Sequence, residues 1–517
     1  MKILPVSLIR DADAYTIKHE PIADIDLMER AAESCALWLQ ENINKDQKLI
    51  CFCGSGNNGG DGLAIARLIF EAGYKVEAYT LCAPEQMSGN CRINYDRLRE
   101  YGKKRRLTCS ILQESGKFPL IDKYDIVIDA IFGSGLTRPA EGFAASVIHH
   151  INSGSADVIS IDVPSGLFCD VTTRITPEPA VIHATDTYTF EPPKLAFFFP
   201  ENAPFVGFWE LLDIGIHPDF IDSANVQNFM VKEEEMALLL RQRAKFSHKG
   251  TYGHALIIAG STGKMGAAVL SAQACLRSGP GLVTVHVPKS GVNILQTAFP
   301  EAMLTIDPAE DHFSAVPELA AYSAIAIGPG LGMNPQSANA LKFLIQETKI
   351  PIIFDADAIN ILAENKTWLG FIPKGSIFTP HPKEFERLVG KSSNNFDQNQ
   401  MQRDFSIKHQ CYVILKGAHT AITTPDGLCY FNTTGNPGMA TGGSGDVLTG
   451  IIAGLMAQGY SSLESCLFGV YIHGMAGDQV RWEKGDYALI ASDIISNLGK
   501  SFQLLFRNNI HTIYGKF

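Results

Sequence analysis

Short apolar runs recur along this chain, and most of them stop at a glycine-bearing polar loop that opens a segment of helical periodicity. Residues 24–43 place Leu27, Ala31, Ala32, Cys35, Trp38 and Leu39 on one face of an amphipathic helix. KLICFC then reads as a strand, residues 54–62 as a glycine-rich turn, and LAIARLIFEAG as a helix that Gly73 closes as a C-terminal cap. The strand YKVEAYT completes a βαβ unit of the doubly wound kind, with a ligand loop at the carboxyl end of its first strand. YDIVIDAIFGSG is a further strand, ending in Asp129 and a glycine loop; DVISIDVPSGL is another, ending in Asp162 and Ser165. In an open parallel sheet these strand ends share one crevice. DTYTFEPPKLAFF and VGFWELLDIGI read as two more strands.

The pattern breaks over residues 215–250, which contain proline and then a charged run, as an inter-domain connection with a short helix would. A second alternation follows: GTYGHALIIAGSTGKMGAAVL, AYSAIAIGPGLG, IPIIFDADAIN and GSIFTPHPKEFERL each pair a strand with a loop bearing Gly, Asp or His. CYVILKGAHTAITT and LCYFNTT are the last strands, and residues 461–507 read as helical throughout. The chain is therefore expected to be α/β with two domains, 1–225 and 226–517.

The stretch NPGMATGGSGDVLTGIIAGLMAQG, beginning at Asn436, joins a glycine loop to an apolar run about three helical turns long. Such a loop aims bare N–H groups and the positive end of a helix dipole at one spot, which suits a phosphate. Asp446 stands there too. Either it caps the helix, or it takes a proton from a hydroxyl that attacks the phosphate. His381 is presented between two prolines, as a structural or a functional imidazole. Lys416 and Gly417 form an ordinary hairpin turn or contact a phosphate. In the first half, Asn57, Asn58, Asp61, Asp129, Asp162 and Ser165 are oxygen donors that suit a hard cation, with helix capping as the alternative for each Asp.

Composition narrows the partners. A net charge of −11 over 517 residues argues against nucleic acid and against an anionic membrane surface. No apolar run reaches the length of a membrane span, and the N-terminus turns polar too soon for a signal peptide. The 11 cysteines are scattered without paired CxxC motifs, so free thiols and a cytoplasmic location are expected.

Several motifs together resemble a known pair of enzymes. IAGSTGKMGAA, GPGLG, TPHPKEF, KGAHT and NPGMATGGSGD resemble the ribokinase-like, ADP-dependent NAD(P)H-hydrate dehydratase. NNGGDGL, DAIFGSGL and IDVPSG resemble the NAD(P)H-hydrate epimerase, in the order seen in bifunctional bacterial repair proteins. Pro280 and Lys383 depart from the expected residues, and neither removes a proposed catalytic group. The resemblance implies a Rossmann-like doubly wound sheet followed by a ribokinase-like α/β/α domain. It implies epimerisation of the R and S forms of the hydrate, and dehydration of the S form through ADP-dependent phosphorylation, giving AMP and phosphate. By the same resemblance Asp446 is the dehydratase base and Asp162 a candidate acid/base of the epimerase. The hydrate is expected on Asn57, Asn58, Gly59, Gly60, Asp61, Gly133, Ser134, Gly135, Leu136, Thr137, Arg138, Pro139 and Asp162 in the first half. In the second half it is expected on Ala267, Gly330, His381 and Asp446. Lys416, Gly417, Ala418, His419, Thr420 and Gly445 are expected to line the nucleotide. Asn58, Asp129 and Ser165 would hold potassium, and magnesium would come with ADP. A homo-oligomer is expected. Two rivals are a plain small-molecule kinase, which leaves the first half without a role, and a non-catalytic nucleotide sensor, which leaves Asp446 without one.

Overall fold

The computed structural model describes residues 1–103, 105, 107–174 and 178–514. The chain divides into two compact units. One comprises Lys2–Val226 with Asn394–Phe396; the other comprises Gln227–Ser393 and Asp397–Phe517 with Met1.

The first unit is built on seven strands: β1 (Lys48–Cys53), β2 (Lys75–Thr80), β3 (Thr108–Ile111), β4 (Ile126–Ala130), β5 (Asp157–Ile161), β6 (Asp186–Phe190) and β7 (Phe208–Leu212). Their order is β3-β2-β1-β4-β5-β6-β7, and every neighbouring pair is parallel. Strand order reverses between β1 and β4, which is where a doubly wound sheet opens its crevice. Helices cover both faces, so the central strands are apolar throughout rather than alternating. All five residues of β4 are buried, Asp129 among them.

One expectation needs correction here. The segment expected to form a glycine turn over residues 54–62 is a loop only as far as Gly56; Asn57 opens the helix Asn57–Glu71. The glycines serve packing. A Cβ on Gly59 would lie 2.1 Å from the carbonyl oxygen of Gly54, and one on Gly62 would lie 2.4 Å from Cβ of Ala130. The helix is glycine-rich at its start because it is pressed onto the strand ends.

The second unit holds β8 (Asn228–Met230), β9 (His254–Ile258), β10 (Leu282–Val287), β11 (Met303–Ile306), β12 (Ala324–Ile327), β13 (Ile352–Phe354), β14 (Ile377–Phe378), β15 (Tyr412–Leu415), β16 (Ala421–Thr423) and β17 (Cys429–Phe431). They lie in the order β8-β17-β16-β15-β14-β13-β12-β9-β10-β11. Pairing is parallel except at the β15–β16 and β16–β17 hairpins. Alternation along β9 splits the core into two layers. Ala255 and Ile257 pack with Leu448, Ile452 and Ala453 of the helix Ser444–Ala457. Leu256 and Ile258 pack on the other face with Leu341, Ile359 and Phe385. This is the three-layer α/β/α arrangement.

Two further boundaries differ from the sequence reading. The supposed connection contains β8, whose three residues pair with β17. The long helical tail is two helices, Ser462–Lys484 and Ala491–Tyr514; Gly485 ends the first at φ +75°. Left-handed backbone favours glycine, and it stops the helix there.

The helix Ser444–Ala457 is the most enclosed in this unit, with twelve of its residues buried from Ser444 to Ala457. It lies backbone to backbone on the helix Met265–Arg277. A Cβ on Gly450 would sit 2.1 Å from the carbonyl oxygen of Ser271, and one on Gly454 would sit 2.6 Å from that of Cys275.

Candidate active sites

In the first unit a cavity of about 450 Å³ opens at the β1/β4 reversal. Asn57, Asn58, Asp61, Gly133, Ser134, Gly135, Leu136 and Asp162 all line it, from the start of the helix Asn57–Glu71 and from two loops. Gly59, Gly60, Thr137, Arg138 and Pro139 do not line it. Gly59 and Gly60 are buried in the helix that carries their neighbours.

Asp162 follows β5 with a left-handed φ of +65°. A non-glycine residue in that region is strained and needs surrounding contacts to hold it. Here the amide N–H of Ser134 donates to Oδ2 at 3.2 Å, and the ammonium of Lys194 lies 2.6 Å from Oδ1. Lys194 is only 2% exposed and also donates to the carbonyl oxygen of Phe190 at 2.7 Å. Burial without that ion pair would be costly for its charge.

Two more carboxyls face the same space. Burial, then Asp162 and Asp13, pushes the Asp61 carboxyl well above the ordinary range. Burial, with Asp162 next, pushes Asp13 up to about 6 despite Lys194. Asp13 and Arg10 come from the helix Val6–His19, on the same helical face.

Of the three residues expected to hold potassium, Asn58 and Ser165 meet at Phe132. Asn58 Nδ2 donates to its carbonyl oxygen at 2.9 Å, and its N–H donates to Ser165 Oγ at 2.8 Å. Asn58 Oδ1 is buried and without a hydrogen-bond partner. An orphaned oxygen beside a hydroxyl and a carbonyl oxygen fits a hard, weakly held cation. Asp129 is engaged otherwise: it accepts from Ser160 Oγ at 2.8 Å, from the Ser165 N–H at 2.8 Å and from Ser165 Oγ at 2.5 Å. It therefore holds Ser165 in place. Among the described residues no group of three or more His, Cys, Asp or Glu side chains forms a metal cluster.

In the second unit the site gathers at the amino end of the helix Ser444–Ala457. Gly443 precedes the helix at φ +91°, which turns the chain so that the first N–H groups face outward. A Cβ added to Gly445 would lie 3.3 Å from Lys416 Nζ, so the lysine sits directly against the helix end. Lys416 is anchored to Asp355 Oδ1 at 3.1 Å, and Asp355 accepts further bonds from Thr379 and Thr449, each at 2.8 Å. Burial, with Asp355 the next influence, pushes the Asp446 carboxyl up to about 7, against the pull of Lys416.

His381 caps the helix Pro382–Val389, its Nδ1 accepting from the Lys383 N–H at 3.1 Å, with Nε2 3.4 Å from Glu384. It also feels Lys416 and Asp355 electrostatically, so its loop reaches the same site. Gly330, at φ +61°, brings Ala267 close: a Cβ there would be 3.1 Å from Ala267 Cβ. Residues 416–420 form the turn between β15 and β16, where Gly417 and Thr420 bond each other and His419 Nδ1 lies 3.2 Å from the Asn432 carbonyl oxygen.

The sequence reading passed over five of these groups. Arg10 and Asp13 lie in a polar helix with no loop signal, and Lys194 follows a proline pair in an aromatic stretch. Asp355 carried a usable signal, because it follows an apolar strand as Asp129 and Asp162 do. His473, 3.3 Å from Ser444 Oγ, is pushed down to about 4 by burial and so stays neutral behind the loop.

Comparison with known proteins extends this picture. A family model described as NAD(P)H-hydrate dehydratase matches residues 255–500, and one described as the N-terminus of YjeF-related proteins matches residues 24–196. The bifunctional NAD(P)H-hydrate repair enzyme of Moorella thermoacetica is 37% identical over 493 residues, covering 92% of either chain. That of Coxiella burnetii is 34% identical, covering 95% of this chain and 97% of its own. A crystal structure of the ADP/ATP-dependent NAD(P)H-hydrate dehydratase of Bacillus subtilis, co-crystallised with ATP/Mg2+, is 30% identical with a TM-score of 0.48, covering 55% of this chain and 100% of that one. With both sites on one polypeptide and the likeness running over more than nine-tenths of its length, the chain belongs to the family of bifunctional NAD(P)H-hydrate repair enzymes.

Proposed function

We propose that residues 1–225, which supply nearly all of the first unit, interconvert the R and S epimers of hydrated NADH and NADPH, and that residues 226–517, which supply nearly all of the second, dehydrate the S epimer. The magnesium complex of ADP is the phosphoryl donor, and AMP and phosphate are the products. One observation supports the dehydratase reading above all. A half-buried carboxyl group, Asp446, stands at an anion-ready helix end with Lys416 against it.

Hydroxide leaves a carbon poorly, and a phosphate ester leaves well. Asp446 takes the proton of the C6 hydroxyl as its oxygen attacks the terminal phosphorus of ADP. The N–H groups at Gly443 and Gly445, together with Lys416, meet the charge that develops on the phosphoryl oxygens. Asp355 keeps Lys416 in that position. Ala267, Gly330 and His381 border the hydrate, while residues 416–420 line the nucleotide. Departure of phosphate from C6, with loss of a proton from C5, restores the C5=C6 bond.

In the first unit, Asn57, Asn58, Asp61 and the loop from Gly133 hold the hydrate, and Asp162 exchanges a proton with it. Asn58 Oδ1, Ser165 Oγ and the carbonyl oxygen of Phe132 would hold potassium, which would supply a fixed positive charge there. Asp129 orients Ser165 there.

The test is direct. With chemically hydrated NADH as an R/S mixture and ADP, the absorbance of the dihydronicotinamide should return for the whole pool, with AMP formed in step. A stable phosphorylated product without recovered NADH would mean a plain kinase, and no reaction would leave only nucleotide binding.

A further inference from the structure

The helix Val6–His19 lies outside the segment that the N-terminal family model covers, which begins at residue 24. Yet it forms one wall of the epimerase cavity through Ile9, Arg10 and Asp13. Arg10 abuts the loop that carries the expected hydrate contacts: its Nη2 lies 2.7 Å from where a Cβ on Gly135 would be. Asp13, one turn further on, lines the same cavity as that loop and the Asp162–Lys194 pair.

Inversion at C6 needs proton transfer on both faces of a flat intermediate, because a hydroxyl must depart from one side and arrive on the other. A single carboxylate reaches only one side. The geometry points to Asp13 as the second proton-transfer residue of the epimerisation, acting with Asp162 in the cavity that both line; this rests on the epimerase reading above.

The step balances with water as the only co-reactant. Asp13 gives its proton to the C6 hydroxyl, and the C–O bond breaks with its electron pair leaving as water. The N1 lone pair forms a double bond to C6, leaving a cation on the ring. Water adds to C6 from the opposite face, its proton passes to Asp162, and the π pair returns to N1. The reverse direction exchanges the two roles. Asp24, Asp61 and Asp162 also line the cavity, with Arg10 and Lys194 as the cations and Glu191 at its edge. Acidic side chains thus outnumber basic ones along the cavity lining. Asp162 is ion-paired with Lys194, whereas Asp13 sits in the range where a group both gives and takes protons near neutrality.

The test uses the full chain without ADP, so that the second site is silent, and follows (R)-NADHX by chiral separation. Asp13→Asn should lower kcat by about 100-fold or more with KM within about threefold. Asp13→Glu should recover at least tenfold of that loss. In the direction where Asp13 is the acid, the wild-type rate should fall as pH rises through about 6, and this limb should vanish in Asp13→Asn. In ¹⁸O-labelled water each inversion should carry solvent oxygen into C6. Equilibrium dialysis of NADHX against Asp13→Asn shows whether the cavity still forms. Wild-type rates in Asp13→Asn, a change confined to KM, or retention of the original oxygen would each overturn the proposal. No interconversion by the wild-type chain would overturn the epimerase reading itself, and the proposal with it.

Discussion

The Asp446 carboxyl is half-buried, and desolvation together with the charge of Asp355 raises its pKa to about 7. A base must be ionised to act. The dehydratase kcat/KM is therefore expected to climb with pH through about 7 and then level off. Asp446→Asn keeps the shape and removes the basicity. It should cut turnover by about 10²–10⁴-fold and abolish the rise, while ADP affinity measured by calorimetry stays within a few-fold. Turnover near the wild-type level in this variant would remove Asp446 from the role of base. Lys194 behaves differently, since its ammonium is buried only because Asp162 meets it. Nothing in the string EPPKLAFF marks that lysine as buried; its significance comes from a partner 32 positions earlier, across the sheet. Asp162, in contrast, was legible because it ends an apolar run before a glycine loop. Chemistry at strand ends leaves a local signature, and chemistry contributed by a distant side chain leaves none.

At the scale of elements, the decisive contact is the pairing of the helices Met265–Arg277 and Ser444–Ala457. Helix propensity alone predicts that Gly450→Ala stabilises by about 1 kcal/mol. The added methyl would stand 2.1 Å from a backbone oxygen, and forcing such a contact apart costs about 1–3 kcal/mol or more. The clash wins, so Gly450→Ala should lower the denaturant midpoint and, by tilting the helix that carries Asp446, slow dehydration. Gly499→Ala is the control, because that exposed helical glycine has nothing within 4 Å of the new methyl and should raise the midpoint slightly. A stable, fully active Gly450→Ala would show that the helices have slack. The strands were legible from their apolar runs, since parallel strands covered on both faces read as continuous hydrophobic segments. The helix starting at Asn57 was misread as a turn because glycine signals a turn by propensity. Here glycine marks close packing, which only the neighbouring strand ends reveal. The strand Asn228–Met230 was missed for a related reason: three residues carry too little pattern to separate them from a linker.

At the scale of the molecule, two sheets with separate cores carry two sites. Asp162→Ala should consume only the S share of a hydrate mixture with excess ADP, then slow to the spontaneous epimerisation rate. Asp446→Asn should interconvert the epimers without regenerating NADH. Mixed together, the two variants should clear the whole pool, because the hydrate diffuses from one chain to the other. Failure of the mixture, with each variant active alone in its remaining step, would mean that the sites depend on each other within one chain. Carrying both sheets on one polypeptide has a consequence for gene dosage. A cell that raises or lowers expression changes both activities together, always one copy of each. Whichever site is slower sets the rate of repair, and no promoter can adjust the balance. Only substitutions inside the sites can do that, so selection for faster repair falls on the slower unit first.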